Sequence, residues 1–130
     1  MIYLDSSAIV KLVHVEPQTA ALRTWLTTRS NLPLVSSMLA RVETARALRR
    51  TDPAALVNLP LVLGAINFIA IDEGVCAAAA AYPEPLLRSL DAIHLATAAV
   101  VASALTAFVT YDKRLVAAAT ADGLPVAAPR

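Results

Sequence analysis

The chain is poor in the residues that mark several special classes of protein. Cys76 is the only cysteine, so no internal disulfide can form and a reducing, cytoplasmic setting is expected. It lies in the Ala-rich run Val75–Ala81 and reads as a small packing residue rather than a nucleophile. His14 and His94 are the only histidines, and neither has a His or Cys partner at zinc-ligand spacing, which argues against zinc. His94 reads as a core or helix-packing residue rather than a catalytic base. The N-terminus lacks a basic start and meets an acid at Asp5, so no signal peptide is expected. No internal repeat or linker is visible. Formal charge is absent between Asp91 and Tyr111, long enough for a span of about twenty residues. However, His94, Thr97, Ser103, Thr106 and Thr110 dilute that stretch. Its Ala-rich first half and β-prone end, Phe108–Thr110, predict a buried helix followed by a buried strand, with no membrane partner.

At 130 residues the chain is expected to form one domain, residues 1–130, around a core of ordinary size. Hydrophobic residues make up 58% and the mean hydropathy is +0.62, so apolar surface is expected to remain after folding and to need a partner. The net charge of +1 conceals an asymmetry. If four acids gather in one site, six acids against eleven Lys and Arg leave +5 elsewhere, enough for local basic patches.

Strand and helix signals alternate along the whole chain. Ile2–Leu4 is a short apolar β-prone run that ends at Asp5; Ser6 and Ser7 then offer capping hydroxyls to a helix over Ala8–Leu12. Glu16–Pro17 opens a second helix in which Leu22, Trp25 and Leu26 fall at helical spacing, with Trp25 a core residue. Leu34–Val35 is a short strand, and Ser36 or Ser37 caps a helix whose apolar stripe is Leu39, Val42, Ala45 and Leu48. Thr51–Asp52–Pro53 begins another helical stretch that Pro60 must kink or divide. Leu56–Leu63 is too apolar all round to face one core and is the expected surplus surface. Phe68–Ile71 reads as a strand and Val75–Tyr82 as a helix capped by Asp72. Ser89 caps a long helix, Leu90–Ala104. Ala107–Thr110 is the last clear strand, followed by a helix over Lys113–Thr120, Gly123 and a short edge strand at Val126–Ala127. This pattern predicts an α/β fold with a parallel sheet covered by helices.

Four acids stand out against that frame. Asp5 follows the first strand and Asp112 the last major one, where ligands of parallel sheets bind. Asp91 lies in the first turn of an apolar helix, and Glu43 borders an apolar stripe. Each has a plainer role open to it. Asp91 could serve only the helix dipole, Glu43 could pair with Arg46, and Asp112 could be a cap. Brought together, these carboxylates would repel one another without a cation, and oxygen ligands suit Mg²⁺, with Mn²⁺ as an alternative.

YLDSSAIVKL, the helix with RVETARAL, then SLDAIHLATA and FVTYDKRL, in that order, resemble a PIN domain, and more narrowly the VapC-type toxins of bacterial toxin–antitoxin pairs. The likeness runs from the first residues to about Gly123. It implies a three-layer sandwich around a central parallel sheet of four to five strands, and a Mg²⁺-dependent endoribonuclease. By motif position the resemblance makes Asp5, Glu43, Asp91 and Asp112 the catalytic, metal-holding acids, with Ser6 and Thr110 as supporting hydroxyls. It also implies a homodimer and an antitoxin that covers apolar surface and inserts a basic side chain among the acids.

The chemistry expected is metal-assisted hydrolysis of an RNA phosphodiester. Carboxylates alone repel a phosphate, so substrate grip must come from outside them. Lys11, Arg41, Arg46, Lys113 and Arg114 are the candidates, since each flanks a site acid in sequence. Other classes fit less well. A haloacid-dehalogenase-type phosphohydrolase needs a second Asp two residues after the first, and Ser7 stands there. A receiver-type phospho-acceptor needs an acidic neighbour that Asp5 lacks. A non-catalytic binding module on the same fold stays open. Nothing in the residues selects a particular RNA.

Overall fold

The computed structural model describes residues 1–130. Its five strands are β1 (Ile2–Leu4), β2 (Leu34–Ser37), β3 (Ile66–Ile69), β4 (Ala107–Val109) and β5 (Val126–Ala127). They form one parallel sheet in the order β3-β2-β1-β4-β5. Seven α-helices accompany it: α1 (Ser6–Val13), α2 (Thr19–Thr27), α3 (Met38–Thr51), α4 (Leu59–Leu63), α5 (Glu73–Ala80), α6 (Ser89–Val100) and α7 (Lys113–Ala121).

The two central strands show why the fold has three layers. Ile2 and Leu4 of β1, with Ala107 and Val109 of β4, pack on one face against Ala8 and Ile9 of α1 and Leu22 of α2. Tyr3 and Phe108 point the other way, onto Leu95 and Ala98 of α6 and Leu115 and Ala119 of α7. Successive strand residues alternate faces, so a strand buried on both sides reads as an unbroken apolar run. Tyr3 pairs in register with Phe108, and their rings stack with centroids 4.9 Å apart. A smaller cluster, Val13, Leu48, Ala55 and Leu59, ties α3 and the 3-10 segment Pro53–Asn58 to α1.

The strand order creates the site. The chain lays β1, β2 and β3 toward one edge, then returns to place β4 on the free side of β1. At that switch point the loops leaving the two carboxyl ends diverge and open a crevice. Asp5 leaves β1 there, and Thr110 leaves β4.

Several boundaries and faces differ from those expected. Val42 is 60% exposed; the buried stripe of α3 is instead Ala40, Thr44 and Leu48. Thr44 can sit there because its hydroxyl donates to the Ala40 carbonyl, which removes the cost of burying it. The third strand lies two residues earlier than Phe68–Ile71, where Ile66 to Ile69 match Leu34 to Ser37 in register. The long helix stops at Val100, and Ala102–Ala104 is a separate 3-10 turn. Ser89 is the first helical residue of α6 rather than its cap, which is Arg88 with no side-chain bond. Ser37 does cap α3 and Asp72 does cap α5, accepting from Leu39 N–H and Val75 N–H. Cys76 is exposed rather than packed, because α5 buries only Val75. The expected apolar surface is present: Val57 and Leu61 are 80% and 83% exposed. No helix is long and apolar enough to cross a membrane.

Truncating Phe108 to Ala should cost about 3–5 kcal/mol in chemical denaturation, since the ring is fully buried against Tyr3. Leu61→Ser should stay within about 0.5 kcal/mol of the parent. A large loss at Leu61 would show that this surface is not free in the isolated chain.

Candidate active site

Asp5 is the N-cap of α1, a role the sequence reading gave to the serines. One carboxylate oxygen accepts from the Ala8 N–H at 2.9 Å and the Ser7 hydroxyl at 2.7 Å, and the other from the Thr110 hydroxyl at 2.6 Å. Ser7 also accepts the Tyr111 N–H at 2.9 Å, and Thr110 accepts the Asp112 N–H at 3.2 Å. The start of α1 is thereby stitched to the exit of β4. Asp5 is 3% exposed, and its burial holds the carboxyl above the ordinary carboxylate range against the pull of these three bonds.

Asp112 caps α7 through one oxygen, which accepts from the Arg114 and Leu115 N–H groups at 2.8 and 3.3 Å. Its second oxygen carries no hydrogen bond. Asp91, in the first turn of α6, accepts no hydrogen bond and meets only the Arg88 guanidinium at 3.8 Å. Its carboxyl is also raised, first by burial and then by the negative charge of Asp112, with a smaller push from Glu43. Asp91, Asp112 and Glu43 therefore sense one another across the crevice.

Glu43 has the opposite environment. Burial pushes its carboxyl up, but a 2.6 Å hydrogen bond from His94 Nε2, the His94 charge and the Ser6 hydroxyl together bring it below its usual value. His94 is itself held by Tyr3, whose hydroxyl lies 2.7 Å from Nδ1. Burial drives the Tyr3 phenol far above its normal range, so it stays protonated. His94 is thus a buried residue, as expected, but one placed in the site by its contact with an acid. The sequence holds a signal for it: His94 follows Asp91 by three positions, on the same helix face.

The structure sets Asp91 within electrostatic reach of Asp112 and Glu43, bonds Ser6 to Glu43, and joins Asp5 to the Asp112 backbone through Thr110; Ser7, His94 and Arg88 are further members of this set. It treats the basic candidates unequally. Lys11 is buried, ion-paired with Glu16 and set 4.6 Å from the Tyr111 ring centroid, so it serves the fold and is not a free cation. Arg41 leans over Phe68 at 5.4 Å. Arg46 is exposed and does not pair with Glu43, whose partners are Ser6 and His94. Lys113 and Arg114 are exposed beside Asp112 at the start of α7.

The donor set suits a hard dication. It is made of carboxylate oxygens, with lone pairs left on Asp91 and on one oxygen of Asp112, and two carboxyls are raised, both chiefly by burial. No three His, Cys, Asp or Glu side chains are gathered tightly enough to hold an ion unaided.

An acid-lined crevice at the switch point of a parallel three-layer sheet defines a class that comparison makes specific. Residues 2–121 match the PIN domain, and the chain belongs to the PIN-domain family. Within it the chain is 50% identical over 131 residues to Ribonuclease VapC35 of Mycobacterium tuberculosis, covering 99% of this chain and 97% of that one. The structure of VapBC2 from Rickettsia felis, bound to a DNA fragment from its promoter, superposes with a TM-score of 0.76 at 14% identity, covering 100% of both chains. A toxin–antitoxin complex from Klebsiella pneumoniae gives 0.71 at 20%, covering 100% of this chain and 98% of that one.

Asp5→Asn should stabilise the metal-free fold at neutral pH, because it removes a desolvated charge. The raised folded-state value means that wild-type stability is lost as pH climbs from the unfolded value of about 3.9 through the folded one. Thermal melts in EDTA should show the advantage of Asn growing from pH 4 to pH 8. A constant or shrinking difference would contradict the burial argument.

Proposed function

We propose that the chain is a divalent-metal-dependent endoribonuclease that hydrolyses RNA phosphodiester bonds as the toxin of a type II toxin–antitoxin pair. The observation that supports this reading is the electrostatic contact of Asp91 with Asp112 and Glu43, with Asp5 at the end of β1 beside β4, in a chain half identical to a named ribonuclease. Asp5, Asp91 and Asp112, with Glu43 directly or through water, would hold Mg²⁺ or Mn²⁺. When bound, the ion would activate water for attack and shield the charge that grows on the phosphate.

The protein's own part is positioning. Ser7, Thr110 and the first turn of α1 lock the Asp5 rotamer. Tyr3 orients His94, and His94 with Ser6 keeps Glu43 ionised and aimed. Exposed Lys113, Arg114 and Arg46 would draw in the RNA backbone, with Arg41 nearer the start of α3.

The partner reading rests on the neighbouring toxin–antitoxin complexes and on the apolar surface around Val57 and Leu61. An antitoxin covers such surface and answers the acids with a basic side chain, and the toxin works as a homodimer.

Incubation of the purified chain with cellular RNA and Mg²⁺ should give defined cleavage ends that excess EDTA abolishes and Mn²⁺ restores. Asp5→Asn should lower the rate by about 100-fold or more while the circular dichroism spectrum is unchanged. Full activity of Asp5→Asn, or cleavage that EDTA does not affect, would refute the assignment.

A further inference from the structure

Beside the acid crevice lies a second hollow that the proposed chemistry does not use. A cavity of about 600 Å³ opens between α6, α7 and the segment linking α5 to α6. Its size is in the range of small-ligand sites. Leu87, Leu95 and Ala118 form an apolar floor, Arg88 and Arg114 stand on its wall, and Asp91 is common to the cavity and the acid cluster. Tyr82 and Asp122 line it as well, with the Tyr82 hydroxyl donating to Asp122 at 3.1 Å. Burial and the Asp122 charge push the Tyr82 phenol up to about 12, so the ring stays neutral.

We propose that this cavity is a nucleotide subsite, seating one unpaired RNA base next to the phosphate that is cut. The proposal rests on the nuclease reading above and names what selects its cleavage site. A strand whose phosphate lies at Asp91 has its neighbouring nucleotide within reach of the hollow, because Asp91 belongs to both. The two cations match the backbone phosphate: Arg88 has only a 3.8 Å contact with Asp91, and Arg114 has no ion pair. The floor and the Tyr82 ring suit the flat faces of a base, which stack or pack without regard to sequence. Asp122 and Glu84 add only acceptors, which favour base edges rich in N–H donors and so supply a preference.

The test uses the whole chain and a pool of single-stranded RNA randomised around one cleavable stretch, with Mg²⁺. Ala117 lines the cavity from an exposed position on α7, so Ala117→Trp fills the hollow without entering the core. Wild type should show a bias of about tenfold or more among bases at one position flanking the cut. Ala117→Trp should still cut, with that bias reduced to less than about twofold. An Ala117→Trp profile identical to wild type, or a wild type with no flanking bias, overturns the subsite and leaves the nuclease reading intact. Failure of wild type to cut any RNA with Mg²⁺ or Mn²⁺ defeats the nuclease reading and the subsite together. If sedimentation shows that Ala117→Trp changes only the oligomeric state while the bias persists, the hollow is a contact between copies and the proposal fails. Should Ala117→Trp not fold, Asp122→Asn is read in its place: a shifted base preference supports the subsite, and an unchanged one overturns it.

Discussion

The structure depends on one buried carboxylate at the place where the sheet changes direction. Asp5 ends the central strand, starts the first helix and receives a hydroxyl from beyond β4, all with one side chain. Those bonds fix the relative positions of β1, α1 and the β4 exit. They do not make its charge comfortable, because burial outweighs them. A residue of this kind is costly to a fold and explicable by the ion it would meet there.

The neighbouring acids divide into two kinds of environment. Asp5 and Asp91 are both raised by burial, and Asp91 is pressed further by Asp112. Glu43 is over-supplied, with an imidazole and a hydroxyl of its own. A cation entering the crevice would gain most from the first pair. Glu43 is then suited to a water-mediated role, held at its angle by a relay that begins at Tyr3 in the centre of the sheet. The same Tyr3 stacks on Phe108, so the core and the site share a residue.

Much of this was legible in the residues. Strands buried on both faces announced themselves as the runs at Ile2–Leu4 and Ala107–Thr110, and the acids that follow them, Asp5 and Asp112, could be placed at strand exits before any contact was known. What escaped was decided by tertiary packing. Val42 fits a helical stripe by spacing, yet α3 packs mainly on α1 and buries the face one notch round, at Ala40 and Thr44. Lys11 flanks Asp5 in sequence but is turned away to Glu16 and Tyr111 by the helix pitch. Cys76 sits in an alanine run that suggested burial, whereas α5 packs on α6 with only Val75 fully covered and Cys76 facing solvent. His94 illustrates the limit best: burial was readable, but its role came from Glu43 on another helix, a pairing that no local pattern encodes.

The central claim is that these separated carboxylates form one site for a dication. Soaking crystals of the chain with Mn²⁺ and locating the ion by its anomalous signal tests it most directly. The account predicts manganese at the β1–β4 switch point, within bonding distance of Asp5 and of Asp91 or Asp112. Manganese bound only elsewhere, or a crevice that stays empty at saturating Mn²⁺, would contradict it.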